Sequence, residues 1–283
     1  MIRILGEKAS DELWPLEGIA GRLFVGGRRL RDWQEAFDPG EEVTLMGNAW
    51  VNPKDWRHLL ETGAEAILET PEGDFLAWTG GGERPDHAMV VLASGQSGVV
   101  RYPWDLLTVN EEVLSGVEAS SSPGGALLAE GARLVVGEGT AILPGVYVEG
   151  TVLVGADCKI GPNCYLRGST AIGDGCHIGQ AVEVKNSIVG PGSSVGHLSY
   201  VGDSILGENV NFGAGTITSN LRHDGRNHRS QAGGRLVETG RRKFGTVVGN
   251  GVHTGIHTSI YPGRKLGPGA TTLPGEIVQG DKI

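Results

Sequence analysis

From residue 136 onward an aliphatic side chain recurs every six positions: Val136, Ile142, Val148, Val154, Ile160, Leu166, Ile172, Ile178 and Val184. After two five-residue steps the series runs through Val189, Val195, Val201, Leu206 and Phe212. It resumes beyond an interruption at Val248, Thr254, Ile260 and Leu266. Four residues after each early start stands a smaller residue: Thr140, Val146, Val152, Cys158, Cys164, Thr170, Cys176 and Val182. This double period predicts a triangular solenoid, with one inward side chain in each short strand and another beside each corner. Three hexads close one coil of about 18 residues, and coils stack about 4.8 Å apart. Ahead of the repeat the pattern is mixed. Strand-like runs at Met1–Gly6, Leu23–Val25, Val43–Met46 and Ala66–Glu69 accompany amphipathic helices at Leu30–Phe37 and Pro53–Thr62. The second helix opens with an Asn52 cap and Pro53 at its first position. The expected organisation is a small α/β domain over 1–117, a turn-rich linker over 118–132, and a solenoid over 133–283 with an insertion at 221–245.

Composition sharpens this division. Of the 48 glycines, 33 lie in residues 123–283, whereas all six tryptophans precede residue 123. Many glycines follow the periodic aliphatic residue, where a permissive backbone is expected to turn the corner. Cys158, Cys164 and Cys176 share the small inward slot and form no CxxC, so they read as buried apolar residues rather than redox or zinc ligands. A hydrophobic share of 39% excludes a disordered glycine-rich polymer, and the chain has no Gly-X-Y repeat. No apolar run is long enough to span a bilayer, and the first residues lack a signal-peptide core, so a cytoplasmic protein is expected. The net charge of −9 argues against nonspecific nucleic-acid binding.

Two positions break the repeat. Arg167 and Lys185 occupy the slot that glycine fills at Gly155, Gly161, Gly173, Gly179, Gly190 and Gly196. One coil apart, they should stack on one face, where like charges repel unless an anion lies between them. A phosphate site and a pair of solvated charges are both open on this pattern. The following segment, Glu183-Val-Lys-Asn-Ser-Ile-Val-Gly-Pro-Gly-Ser-Ser-Val-Gly-His-Leu-Ser-Tyr-Val-Gly-Asp203 into Leu206-Gly-Glu-Asn-Val-Asn-Phe-Gly-Ala-Gly-Thr-Ile-Thr-Ser-Asn220, resembles the acetyltransferase part of GlmU-type enzymes. The resemblance covers roughly 133–283; Asn220-Leu-Arg-His-Asp224 and Thr239-Gly-Arg-Arg-Lys-Phe-Gly245 are similar to archaeal sugar-1-phosphate members.

The resemblance implies a left-handed parallel β-helix of hexapeptide repeats, usually a homotrimer with sites between subunits. It implies an acetyl-CoA-dependent N-acetyltransferase for a hexosamine-1-phosphate, glucosamine- or galactosamine-1-phosphate, in nucleotide-sugar biosynthesis, with no metal. His197 falls at the family's general-base position, a role suited to a histidine side chain. Arg167, Lys185, Tyr200 and Lys243 match sugar-phosphate contacts. Glu183, Asn211 and Asn220 match residues that orient the hexosamine and its amine. The backbone N–H of Ala214, in Gly213-Ala214-Gly215, matches the oxyanion donor. The acetyl-CoA arm should lie along Thr254–Thr258 and Ala270–Gly275, with Thr254 and Thr272 as contacts, although Ile256 departs from the bacterial pattern.

The insertion holds Arg222, Arg226, Arg229, Arg235, Arg241, Arg242 and Lys243, seven of 24 basic residues, which suits an anionic ligand or a solvated loop. The N-terminal part lacks the Gly-rich loop ending Gly-Thr-Arg of the family's uridylyltransferase domain. Leu13-Trp-Pro-Leu16, Arg28-Arg-Leu-Arg-Asp-Trp33 and Tyr102-Pro-Trp-Asp-Leu-Leu-Thr-Val-Asn110 resemble divergent GlmU-like proteins with a reduced nucleotidyltransferase-like domain. Uridylyl transfer is therefore not expected. Competing readings are retained nucleotide-sugar binding, a non-catalytic scaffold, and a metal enzyme using His223 and His228 or His253 and His257, since γ-class carbonic anhydrases share the β-helix.

Overall fold

The computed structural model describes residues 1–6, 8–63, 65–118 and 125–283. Part of the expected linker, 119–124, lies outside the described residues. The C-terminal region is a left-handed parallel β-helix of about 8 turns. Each coil pairs in register with the next, and the periodic residues form three internal ladders. Val148, Leu166, Val184 and Val201 stack on the first face. Val136, Val154, Ile172, Val189, Leu206, Val248 and Leu266 stack on the second. Ile142, Ile160, Ile178, Val195 and Phe212 stack on the third. These ladders, with Cys158, Cys164 and Cys176, make one continuous apolar core. All three cysteines are buried and free, and burial pushes the Cys164 thiol up to about 12. The first strand of the helix is Ala126–Leu128, paired to Val146–Val148, so the coil starts ahead of residue 133.

At Gly155, Gly173, Gly179 and Gly190 the corner glycine has a different cause from the one expected, whereas Gly161 does take a left-handed φ of 99°. At Gly173 the backbone is not in the left-handed region; instead, a Cβ there would lie 2.7 Å from the Pro191 nitrogen of the next coil. Close stacking of corners excludes a side chain. The left-handed φ falls two residues later, at Gly175 and at its counterpart Asp157.

The N-terminal part carries a mixed sheet of β1 (Ile2–Leu5), β2 (Val43–Met46), β3 (Ala66–Glu69), β4 (Phe75–Thr79) and β5 (Met89–Leu92), ordered β1-β2-β4-β3-β5. Helices α1 (Leu30–Ala36), α2 (Pro53–Thr62) and α3 (Asp105–Ser115) flank it. Asn52 caps α2 as expected, its side chain accepting from the Lys54 N–H at 2.8 Å. β4, β5 and α3 were not legible in the pattern.

This part does not stand clear of the β-helix. Leu13, Leu30, Trp104, Leu107 and Leu114 share a core with Ala171, Ile188, Ile205 and Val247, which point outward from the second face. The sequence does carry that signal: each precedes an inward residue, so the second face reads as apolar pairs such as Ile188-Val189 and Ile205-Leu206. An outward apolar column requires a cover. In the same column, Lys265 is fully buried, donates to the Trp14 carbonyl at 2.8 Å, and lies near the Trp14 and Trp104 rings.

Candidate active site

On the first face, the pleat sends Arg167, Lys185 and Gly202 outward in one column, in register on successive coils. Tyr165, Glu183 and Tyr200 form the column beside it. The stacked cations are therefore real neighbours. Their repulsion, however, is relieved by side chains rather than requiring a bound anion. Glu183 Oε1 accepts from Arg167 Nε at 2.7 Å, and Lys185 Nζ lies 2.8 Å from Asp203 Oδ2. Glu183 engages one edge of the guanidinium, which is still 31% exposed, so further N–H donors remain for a ligand.

Asp203 is the residue that the sequence reading missed. It is 3% exposed and gathers three donors: Lys185 Nζ and Asn220 Nδ2, the latter at 2.6 Å, on one oxygen, and Asn186 Nδ2 at 3.1 Å on the other. Asn186, Asp203 and Asn220 are spaced 17 residues apart, one coil each, a periodicity that could have found them. Asn220 Nδ2 also donates to the Tyr200 hydroxyl at 2.9 Å, leaving that hydroxyl's own proton free to donate. Burial, then the Asp203 and Glu183 charges, push the Tyr200 phenol above its usual range, so it stays protonated. Gly202 is required here: a Cβ would fall 2.3 Å from the Tyr200 oxygen.

At the corner leading into this face, His197 ends the strand Ser194–His197. Val195 stacks on Phe212, so the following residues place His197 and Ala214 on successive coils of one corner. The Gly215 N–H donates to the His197 carbonyl at 3.1 Å. The Ala214 N–H donates to no acceptor among the described residues, while its carbonyl accepts from the His257 N–H at 2.8 Å. The His197 ring is exposed and makes no side-chain hydrogen bond among the described residues. Burial, then Lys159 and His197, lower the pKa of the nearby His177.

The structure thus gathers Arg167, Glu183, Lys185, Tyr200 and Asn220, with His197 and Ala214 at the adjoining corner. Lys243 bridges to Leu221, beside Asn220, and is exposed. Asn211 lies apart, exposed on the third face between Ser194 and His253. The expected cofactor contacts Thr254 and Thr272 stand on the coils beyond Phe212. Their side chains point into the coil, because they occupy inward slots of the third ladder. The Thr254 hydroxyl accepts from the Gly213 N–H at 2.9 Å and pairs with Thr216; that of Thr272 accepts from the Gly255 N–H at 2.9 Å and pairs with Thr258. Both hydroxyls are thus hydrogen-bonded within the coil. Ile256 and Leu273 are what these corners expose.

The insertion contains a hairpin, although most of its residues are exposed. Arg229–Ala232 and Arg235–Glu238 form an antiparallel hairpin around Gly233 and Gly234, both with positive φ as such a turn demands. Most of its cations are paired: Arg222 with Asp224, Arg229 with Glu238, Arg235 with Glu12, and Arg241 with Glu111. Among the described residues, Arg226, Arg242 and Lys243 carry no ion pair. His228 is buried, with Nε2 3.1 Å from the Asn220 carbonyl. Among the described residues no group of three or more His, Cys, Asp or Glu side chains is arranged to hold a metal.

A left-handed parallel β-helix of hexapeptide repeats, with an amide-lined face beside a histidine corner, defines the fold class. Comparison with known proteins narrows it. Residues 148–264 match the GMPPB C-terminal domain family. The chain is 41% identical over 200 residues to a bifunctional sugar-1-phosphate nucleotidylyltransferase/acetyltransferase of Sulfurisphaera tokodaii, covering 69% of this chain and 50% of that one. It is 38% identical over 167 residues to the bifunctional protein GlmU of Methanococcus aeolicus, 58% of this chain and 40% of that one. The resemblance to GlmU-type proteins therefore holds, and the chain is their relative. It spans about half the length of the curated relatives it matches. Among solved structures, a putative acetyltransferase of Bacillus cereus aligns at 16% identity and a TM-score of 0.32, covering 55% of this chain and 78% of that one. No helix among the described residues is long and apolar enough to cross a membrane.

Proposed function

We propose that this chain is an acetyl-CoA-dependent N-acetyltransferase acting on a hexosamine-1-phosphate. The observation that carries the reading is the juxtaposition of the Arg167–Lys185–Tyr200–Asn220 group with a corner where His197 stacks on an unpaired Ala214 N–H. Arg167, Lys185, the Tyr200 hydroxyl and Lys243 take the phosphate. Glu183 and Asn220 orient the sugar, a role that the resemblance to GlmU-type enzymes also gives Asn211. His197 removes the proton as the amine attacks the thioester carbon. The carbon–sulfur bond breaks, and the thiolate leaves to be protonated to free thiol. The Ala214 N–H receives the negative charge that develops on the carbonyl oxygen, where a fixed donor is worth about 3–4 kcal/mol.

Exposed Leu198, Ile217, Leu221 and Ile277 lie on or beside this face, which supports a homotrimer with the site between subunits. We assign no uridylyl transfer to the N-terminal part, and the cytoplasm as the place of action. A thiol-release assay with acetyl-CoA and either glucosamine-1-phosphate or galactosamine-1-phosphate tests the function. Turnover with one is expected; turnover with neither overturns the reading. Pyrophosphate release from UTP, Mg²⁺ and N-acetylglucosamine-1-phosphate overturns the second assignment.

A further inference from the structure

The Asp203 cluster does not end within the β-helix. The Asn186 side-chain nitrogen carries two protons, and the structure directs one to Asp203 Oδ1 at 3.1 Å and the other to Glu111 Oε1 at 2.8 Å. Glu111 stands on α3, in the N-terminal part. Its carboxylate also pairs with Arg241, whose guanidinium donates to Thr108 on the same helix at 3.2 Å. Arg241 is two residues ahead of Lys243. The intervening chain leads into Phe244, fully buried and packed edge-on against Trp104 at 5.8 Å, just before α3. A single carboxylate on α3 thus holds both borders of the cationic face. One border runs through Asn186 and Asp203 to Lys185 and Asn220; the other runs through Arg241 to Lys243.

We infer that Glu111 is a positioning residue of the acceptor site, and that the N-terminal part completes the phosphate-binding end of the site. This rests on the acetyltransferase reading above. Charge explains why the arrangement is needed. Asp203 compensates Lys185 and Glu183 compensates Arg167, so the face offers a phosphate no large net field by itself. Affinity then depends on where the donors stand, and a donor displaced by an ångström loses most of a hydrogen bond. The Asn186 amide also accepts from the Ser169 N–H at 3.3 Å, and Asn186 sits at a left-handed φ of 47°. Its orientation is therefore set by partners on three sides, and Glu111 is the one that the coil itself does not supply.

The test uses the full chain with Glu111→Ala and Glu111→Gln, assayed by thiol release over a range of sugar phosphate at saturating acetyl-CoA, and over acetyl-CoA at saturating sugar phosphate. Glu111→Ala is expected to raise KM for the sugar phosphate about tenfold, an effect of about 1.4 kcal/mol, with KM for acetyl-CoA unchanged. Glu111→Gln, which keeps an oxygen acceptor for Asn186, should restore much of the loss. Inhibition by inorganic phosphate against the sugar phosphate should weaken in parallel with the Glu111→Ala shift. A wild-type chain without turnover overturns the acetyltransferase reading itself. An active wild type with unchanged sugar-phosphate KM in Glu111→Ala overturns the inference alone. So does a loss spread equally over both KM values, or a folded Glu111→Gln chain whose sugar-phosphate KM is raised as much as that of Glu111→Ala.

Discussion

The two regions of this chain use one solvent rule in different ways. In the β-helix, the same inward slots recur coil after coil, and the core is a continuous ladder from Leu134 to Val278. In the N-terminal part the apolar residues form a separate sheet-and-helix core around Leu45, Leu68 and Leu76, while another set spreads over the outer second face of the helix. The repeat makes each coil's environment nearly interchangeable, so the exceptions carry the chemistry. Without a repeat, each N-terminal residue has its own environment, and no position is marked by departing from a rule.

The comparison can be broken at several points. The largest effect is expected at His197, whose ring is exposed and makes no side-chain hydrogen bond among the described residues. His197→Ala should lower kcat by about 10²–10⁴-fold with an unchanged melting temperature; full activity would remove His197 as the base. Next comes Asp203, buried and gathering a lysine and two amides. Asp203→Ala leaves the Lys185 charge unpaired and should cost about 3–5 kcal/mol in urea unfolding, against no measurable change if the cluster is ornamental.

The glycines divide along the same line. Gly173→Ala forces a contact with the Pro191 backbone of the next coil and should cost about 1–3 kcal/mol. Gly82→Ala, in open space in the N-terminal part, should stay within about 0.5 kcal/mol. Equal melting temperatures for the two variants would contradict the close-stacking account.

The junction between the two regions is probed by pH. Burial, only partly opposed by Asp281, lowers the pKa of Lys265 from 10.5 to about 8. Below about 8 both folded and unfolded chains hold the proton; between about 8 and 10.5 only the unfolded chain does. Stability from this group therefore rises with pH across that window and is lost as pH falls through about 8. Lys265→Met should flatten that rise, measured as unfolding free energy at pH 8 and pH 10. An identical rise in the variant would show that the buried ammonium does not govern the junction.

How much was legible follows from the range of each interaction. Arg167 and Lys185 were found because a coil's period puts them in one glycine slot. Asn186, Asp203 and Asn220 were equally periodic, but short polar residues at a corner look like turn chemistry until their shared carboxylate is seen. Thr254 and Thr272 show a related ambiguity. A threonine in an inward slot reads as polar and therefore as a contact, whereas here its hydroxyl is satisfied inside the coil. Helix α3 was missed because Leu106, Leu107, Val109, Asn110, Val113 and Leu114 are all buried, giving no single apolar stripe.

By itself, the sequence determined the β-helix, its core residues, the place of its interruption and the outward slots that depart from glycine. These follow from a local period, in which a side chain's direction is set by its position within six residues. Only the tertiary structure decided that the second face is covered, that the insertion docks as a hairpin, and that Glu111 reaches Asn186 across 75 positions of sequence. Such contacts join elements of unrelated pattern. Their specificity comes from hydrogen-bond geometry and shape between surfaces, which no periodicity within either segment encodes.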